Sequence, residues 1–375
     1  MRLKEPRPPA AARALLEPLA RLADESGLSI YAVGGCVRDW MLGRTTYDID
    51  VVCEGDPKPL ALECARRLGG TAEAFGQFGT LRVLSPSRLR FDFATSRREK
   101  YPEPASLPVV TTPVPLTEDL SRRDFTVNAM ALGLTGPDSG RVVDPFGGRE
   151  DLAAGRLRLL HGQSLRDDPT RAFRAARYAC RIGLTPDDDL ERQAAEALTE
   201  GHAARLSPHR LTQELLRLLG EPELSCPLKL LRRWGYLALW DPRLKAPPTS
   251  LKHPEERLGA MALSLDGDGA SFLNRLALDR RLSGDLHELL KLAAEKKAAK
   301  DEPPVAARRA LRALHPKLPA SALKPLLLRG EDLKALGLPP GPRYKELLDE
   351  AAALQWRGKL TARSQALAWL RARVR

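Results

Sequence analysis

The sequence predicts an α+β protein, in which a small mixed α/β head is followed by an extended all-helical region. Three observations predict it. Short apolar runs of strand length, bounded by turn residues, cluster before the turn Pro145-Phe146-Gly147-Gly148. Beyond that turn almost every segment spaces its apolar residues as a helix does. Aromatic residues make up only 5% of the chain against abundant Leu and Ala, so the helices pack mainly on aliphatic side chains. The 375 residues, 43% of them hydrophobic, leave room for two to four domains on a prior of roughly 100–200 residues each.

Residues 9–26 carry apolar positions at helical spacing, with Pro18 inside the pattern and Gly27 ending it. Ser29–Val33 is a short apolar strand, Gly34–Gly35 a turn, and Val37-Arg38-Asp39 the opening of a helix. A second strand carries Asp48 and Asp50. Glu54-Gly55-Asp56-Pro57 is a turn before an amphipathic helix over 58–68, closed by Gly69-Gly70. Thr80–Leu84 and Arg88–Ala94 form an antiparallel hairpin over a Ser-Pro-Ser turn. Residues 95–117 read as loop, interrupted by Pro102, Pro104, Pro108, Pro113 and Pro115, and a polar connection of that length is more often functional than filler. Asp119–Leu132 is expected to be helical and Arg141–Asp144 a short strand. Further helices are expected over 169–182, 188–199, 208–219, 226–236, 282–298, 303–314, 320–328, 342–355 and 361–374. Pro247-Pro248 and Pro303-Pro304 mark joints between them.

The formal net charge is +12, from 60 Lys and Arg against 48 Asp and Glu, and the pI is ≈ 9.7. That excess suits a polyanionic partner such as nucleic acid, although Arg-rich coding alone also produces it. The five cysteines (Cys36, Cys53, Cys64, Cys180, Cys226) are scattered without a CxxC pair, so reduced, mostly buried thiols are expected. The six histidines have no metal-binding spacing. No secretory apolar region and no apolar run of about 18 residues is present, which makes a cytoplasmic protein without membrane contact the expectation.

The chemistry concentrates in Ser29–Cys53. A strand alternates its side chains, so Asp48 and Asp50 share one face while Ile49 takes the other. Two carboxylates held together repel unless a cation lies between them, and Mg²⁺ is the usual hard cation beside phosphates. Backbone N–H groups at Gly34–Gly35 and the helix start suit a triphosphate. These features point to metal-assisted transfer of a nucleotidyl group. Asp92, flanked by Phe91 and Phe93, supplies a third carboxylate, the minimum for a two-metal site. Taken alone it also reads as a solvent-facing edge residue. Arg38 can meet a phosphate with its bidentate fork, whereas Asp39 reads better as a first-turn acid of its helix.

Arg122-Arg123-Asp124 with Asn128 offers Arg123 for a phosphate and the pair Asp124 and Asn128 for a ribose hydroxyl; a surface salt-bridge ladder is the alternative. Asp167-Asp168-Pro169-Thr170-Arg171 reads in isolation as Asp168 capping a helix with Pro169 at its first position. It also reads as a template made of protein. Adenine and cytosine present an amino donor beside a ring-nitrogen acceptor, while guanine and uracil present a carbonyl beside an N–H. A carboxylate only accepts and a guanidinium only donates, so Asp168 with Arg171 admits A and C and rejects G and U. Arg174 lies one turn beyond Arg171 and can reach the phosphates, with Arg177 after it.

These motifs resemble the class II CCA-adding tRNA nucleotidyltransferases and their poly(A) polymerase relatives, within the DNA polymerase β-like superfamily. The resemblance rests on GGCVRDWMLG (34–43), DID (48–50), RRDFTVNAMAL (122–132), DPFGG (144–148), DDPTRAFRAARY (167–178) and RLTQELLRLL (210–219), in the family's order. It implies a nucleotidyltransferase head with a five-stranded sheet over 1–148, a base-recognising helical neck over 149–220, a body over 221–300 and a tRNA-binding tail over 301–375. It implies Asp48 and Asp50 as metal ligands and Gly35, Arg38, Arg123, Asp168, Arg171, Arg174 and Arg177 as nucleotide contacts, with Gly34, Asp124 and Asn128 beside them. Arg210 and Glu214 would buttress the base-reading helix. The implied activity is addition of all or part of CCA to tRNA from CTP and ATP with Mg²⁺, and no obligatory protein partner is evident.

Two departures stand out: Asp167 where the family usually has Glu, and an unusual 95–110, the segment implied to govern the switch from CTP to ATP. Addition of only A or only CC is therefore an alternative, followed by poly(A) polymerase and by a non-catalytic RNA-binding protein. The region beyond about 240 carries no recognised motif and is expected to grip the tRNA elbow through Lys and Arg contacts to phosphate.

Overall fold

In the computed structural model, which describes residues 1–75, 79–84, 86, 89–294, 326–339 and 341–374, the chain divides into two units: Met1–Leu206 with Arg233–Gly235, and Ser207–Arg232 with Tyr236–Arg375. The expected head–neck boundary at 148 falls inside the first unit. The expected helix over 303–314, the Pro303-Pro304 joint and residues 320–325 of the helix expected over 320–328 lie outside the described residues, and 326–328 are not helical.

The first unit begins with α1 (Ala10–Glu25), β1 (Ile30–Val33), α2 (Gly35–Met41), β2 (Asp48–Cys53) and α3 (Lys58–Leu68). Then come β3 (Thr71–Phe75), β4 (Thr80–Leu84), β5 (Arg90–Thr95), the small hairpin β6 (Arg98–Lys100) and β7 (Val109–Thr111), and α4 (Leu116–Ser121). β8 (Ala131–Gly133), β9 (Val142–Val143), α5 (Gly148–Ala154), β10 (Arg156–Leu157), α6 (Ser164–Asp167), α7 (Thr170–Tyr178), β11 (Thr185–Pro186) and α8 (Asp188–Thr199) complete it.

The main sheet has seven strands in the order β3-β4-β5-β2-β1-β8-β9, where five were implied. β8 and β9 extend the far edge with only three and two residues, too few to carry a pattern. β3 gives no alternation because it is an edge strand with both faces largely exposed. Every pairing is antiparallel except β2 with β5, which run parallel and bring Asp50 opposite Asp92. Period-two alternation then does the sorting. Ile49, Val51, Phe91 and Phe93 are buried on one face, where α3 packs and the two Phe rings stack at 5.9 Å. On the other face Val52 joins Tyr31, Val33, Leu116, Leu120, Ala129 and Ala131 in a core cluster. Asp50 and Asp48 continue that face toward the start of β2, where both reach solvent.

Asp119–Leu132 is not one helix. α4 stops at Ser121, Phe125 is extended, Thr126–Asn128 is a 3₁₀ turn and Ala131–Gly133 is strand. Thr126 and Val127 are β-branched, and Asp124 binds the N–H of Phe125 at 2.8 Å, so local chemistry and the sheet edge outweigh helical spacing. Residues expected as loop contain the β6–β7 hairpin. Among the cysteines, Cys36, Cys53 and Cys64 are buried free thiols, as expected. Cys180 and Cys226 are not free thiols, because spacing along the chain says nothing of neighbours in the fold.

The second unit holds α9 (Pro208–Leu219), α10 (Ser225–Arg233, whose last residue belongs to the first unit), α11 (Pro254–Leu263), α12 (Gly269–Asn274) and α13 (Arg280–Ala294). α14 (Gly330–Ala335), α15 (Pro342–Trp356) and α16 (Arg363–Val374) follow and share a small Leu-rich core. The buried Arg257 serves the end of α9, donating to the carbonyls of Leu219 at 2.7 Å and Glu221 at 2.6 Å. Glu214 is buried on α9 and paired with Arg217. Among the described residues no helix is long and apolar enough to cross a membrane.

Candidate active site

Two adjacent parallel strands carry the acids. Asp48 and Asp50 stand on β2, and Asp92 stands beside Asp50 on β5. Arginines already occupy the outer two. Arg82, directly across β4, grips both oxygens of Asp92 at 2.8 and 2.7 Å and lies 3.3 Å from the Phe75 ring centroid. Arg90 pairs with Asp48. Asp50 is reachable by solvent but has protein around its carboxyl on most sides. That desolvation raises its pKa; Arg123 opposes the rise, and Asp92 and Asp48 add to it. A cluster built only of carboxylates has the donor chemistry of a hard divalent cation. Asp48, Asp50 and Asp92 therefore fit Mg²⁺ once the outer two turn from their arginines. As the side chains stand, no three His, Cys, Asp or Glu groups among the described residues are gathered to hold a metal.

At the Gly34–Gly35 turn the first glycine makes close contacts of its own. Gly34 has φ +74°, and a Cβ there would come within 2.7 Å of Arg123 Nη1. Its N–H donates to the carbonyl of Met130 at 2.9 Å, so it is spent on the sheet. The glycine makes room for Arg123. Arg123 is in turn held by the buried Asp119 at 2.9 Å. Burial alone would push the Asp119 carboxyl up, but Arg123 and Arg122 outweigh it and hold the pKa down.

Arg38, Asn128, Asp124 and Arg174 form one chain. Arg38 donates to Asn128 Oδ1 and, from Nε at 2.9 Å, to Asp39. Asn128 Nδ2 donates to Asp124 at 2.9 Å, and Arg174 donates to Asp124 Oδ2 from Nε at 2.8 Å and Nη2 at 2.6 Å. Both Asp124 oxygens are thus in use, and Arg174 outweighs burial to keep its pKa low. Asp39 is no first-turn acid; it steadies Arg38. The Tyr178 ring lies 5.4 Å from the Arg38 guanidinium, 5.6 Å from that of Arg174 and 5.0 Å from that of Arg181. Arg177 is buried on the same helix.

At the proposed base reader, α7 starts at Thr170, with Pro169 in the flanking position. Asp168 Oδ1 accepts from the Thr170 N–H at 3.0 Å and from its hydroxyl at 2.6 Å, so the local capping reading holds in modified form. Arg171 is buried and aimed by two groups that sequence inspection missed. Its Nη1 donates to the Ser164 hydroxyl and its Nη2 to the carbonyl of Arg122 at 2.9 Å. A guanidinium has five N–H donors, so these leave others available.

Glu99 on β6 was also missed. It pairs with Arg122 at 3.1 Å and Arg97 at 2.8 Å and accepts from Tyr101, whose pKa burial pushes up with Glu99 adding. The N–H of Ala105, in the β6–β7 connection, donates to the Arg166 carbonyl at 3.1 Å, just before Asp167. No short sequence spacing announces these contacts.

Residues 30–158 match the family described as the poly A polymerase head domain. The chain is 33% identical to the CC-adding tRNA nucleotidyltransferase of Deinococcus radiodurans, over 96% of this chain and 93% of that one. It is 32% identical to the A-adding tRNA nucleotidyltransferase of Geobacter sulfurreducens, over 96% of this chain but 46% of the relative. It spans about half or less of the length of the A-adding relatives it matches. A solved structure described as the apo form II of a CCA-adding enzyme superposes with a TM-score of 0.66 at 26% identity, covering 98% of this chain and 96% of that one. The chain belongs to the tRNA nucleotidyltransferase family built on the poly A polymerase head.

Proposed function

We propose that this protein extends the 3′ end of tRNA with all or part of CCA, using CTP and ATP as substrates. The observation that carries the reading is the parallel register of Asp50 with Asp92, next to Asp48 and within the field of Arg123. In the reaction the 3′-hydroxyl oxygen bonds to the α-phosphorus, the bond from that phosphorus to the bridging oxygen breaks, and pyrophosphate leaves. Asp48, Asp50 and Asp92 would hold Mg²⁺, which when bound neutralises charge at the phosphates and makes the hydroxyl more acidic.

The remaining work falls to the chain's own side chains. Arg123, held against Asp119 and given room by Gly34, faces the triphosphate. Arg38 and Arg174 face it too, and Asn128 and Asp124 fix their geometry instead of taking the ribose directly. Arg177 adds positive charge on α7. Asp168 accepts from the base amino group and Arg171 donates to the ring nitrogen, with Thr170, Ser164 and the Arg122 carbonyl setting their aim. The second unit is proposed to bind tRNA through its Lys and Arg residues.

The test offers the pure protein tRNAs ending before the first C, after C and after CC, with CTP and ATP supplied separately, and sequences the products. Incorporation of both nucleotides in order supports full CCA addition. CTP incorporation that stops after CC supports a second reading, CC addition alone, which the near full-length match to the Deinococcus relative favours. ATP incorporation only onto the CC end assigns A addition. No incorporation on any of the three overturns the enzyme.

A further inference from the structure

Where the N-terminal arm crosses the C-terminal end of α2, a cavity of ≈ 460 Å³ opens between Lys4, Arg7, Trp40, Gly43, Arg44 and Thr45. Backbone hydrogen bonds fix the main chain at two of its cationic residues. The Lys4 N–H donates to the carbonyl of Met41 and the Arg44 N–H to that of Asp39, both at 2.8 Å. Gly43, at φ +70°, leaves room for the Lys4 side chain; a Cβ there would come within 2.9 Å of Lys4 Nζ. Trp40, 3% exposed, gives the cavity one rigid apolar wall. Among the described residues no carboxylate lies within ion-pair distance of Lys4, Arg7 or Arg44. Glu5, the acid on the rim, is turned to Arg149 at 3.3 Å. Three uncompensated cations around an open hollow make an anion site.

Position identifies the anion. Thr45 on the rim precedes Asp48 by three residues, and an extended chain spans no more than about 3.6 Å per residue, so rim and catalytic strand lie within roughly 11 Å. Between them stands Tyr47, 42% exposed, its carbonyl pinned by the Arg90 N–H at 2.8 Å. Cations, an exposed aromatic ring and catalytic carboxylates thus follow one another along the chain. That is the order of parts a single-stranded RNA end needs: phosphate held, base stacked, hydroxyl delivered. The incoming triphosphate is served at the opposite end of α2, about 10 Å away for a helix of this length. We infer that the Lys4–Arg7–Arg44 pocket seats a phosphodiester of the RNA primer close to its 3′ end, with Tyr47 stacking on a neighbouring base.

The inference rests on the protein extending an RNA 3′ end, and binding without nucleotide tests it separately. Fluorescence anisotropy of a labelled tRNA ending in CC is measured at several salt concentrations. The R7E/R44E double variant is expected to raise Kd at least tenfold at 0.1 M salt. It should also flatten the plot of log K against log salt by one to two, since each phosphate contact contributes about 0.7–0.9. Lys4→Gln, which deletes a charge without adding one, should show a smaller rise and a flattening below one. Tyr47→Ala should raise Kd about fivefold or more without changing the slope, and Tyr47→Phe should restore binding. Circular dichroism melting checks that each variant folds. Kd and slope equal to wild type in the charge variants overturn the inference. So does a raised KM for CTP or ATP with primer Kd unchanged, which would give the pocket to free nucleotide. A wild-type protein that binds and extends no RNA defeats the proposed function instead, before any variant is compared.

Discussion

Asp50 bears the electrostatic cost of the site. Its carboxyl pKa is raised by desolvation, with Asp92 and Asp48 adding and Arg123 opposing. The folded state therefore holds this proton more tightly than the unfolded chain does. As pH rises from the ordinary carboxylate value through the raised one, the unfolded chain releases the proton first, and stability falls. At neutral pH an ionised Asp50 destabilises the fold. Asp50→Asn is accordingly expected to melt higher than wild type in EDTA at pH 7.5, with the difference shrinking toward pH 4, while transfer falls by about a thousandfold or more. Mg²⁺ should raise the melting temperature of wild type and leave that of the variant unmoved, because only a site that binds gains by mass action. Scanning calorimetry at the two pH values, with and without Mg²⁺, decides it, and a variant that melts below wild type in EDTA would refute the account. The shared face of Asp48 and Asp50 was legible from strand alternation alone. The arginines that occupy Asp48 and Asp92 were not, because Arg82 and Arg90 meet them only through strand pairing.

At the scale of elements, two torsions make opposite predictions. Gly34 and Ala105 both sit at positive φ, +74° and +59°, but only one of them is a glycine. Gly34→Ala strains the turn and sets a Cβ against the Arg123 guanidinium, so it should cost about 1–2 kcal/mol of stability and at least tenfold in activity. Ala105→Gly relieves the left-handed strain and should stabilise by up to about 1 kcal/mol. Urea unfolding measures both, and equal signs would defeat the argument.

Helices α1, α3, α8 and α9 were legible nearly to the residue, because each carries a continuous amphipathic period with Pro, Gly or a capping side chain at an end. The β6–β7 hairpin was not. Its strands have three residues each, and its anchors, Glu99 to Arg122 and Ala105 to Arg166, are contacts between distant parts of the chain. Short α12 and α14, of six residues each, escaped because they are too brief to display a period.

Across the first unit, the proposed base reader and the proposed catalytic acids meet at consecutive residues. The carbonyl of Arg122 holds Arg171, the proposed base reader, while the side chain of Arg123 faces Asp50. Asp119 binds both arginines, at 2.7 and 2.9 Å. The sequence places Asp50 and Arg171 in separate motifs and leaves their connection invisible; the fold joins them through a backbone step. Base reading can therefore be disturbed apart from the chemical step, by loosening Arg171 from its far side. Ser164→Ala removes the hydroxyl that accepts from Arg171 Nη1 and leaves Arg122 and Arg123 in place. It should lower the preference for CTP and ATP over UTP and GTP in kcat/KM by about tenfold, the scale of one buried hydrogen bond, while the rise in melting temperature with Mg²⁺ persists. Arg123→Lys should do the reverse, lowering kcat for every nucleotide alike with selectivity kept, because a point charge replaces a fork at the triphosphate. Steady-state kinetics with the four nucleotides on a tRNA ending in CC, and on one lacking all three residues, separate the two effects. Equal loss of selectivity in both variants would mean that reading and chemistry are a single structural unit.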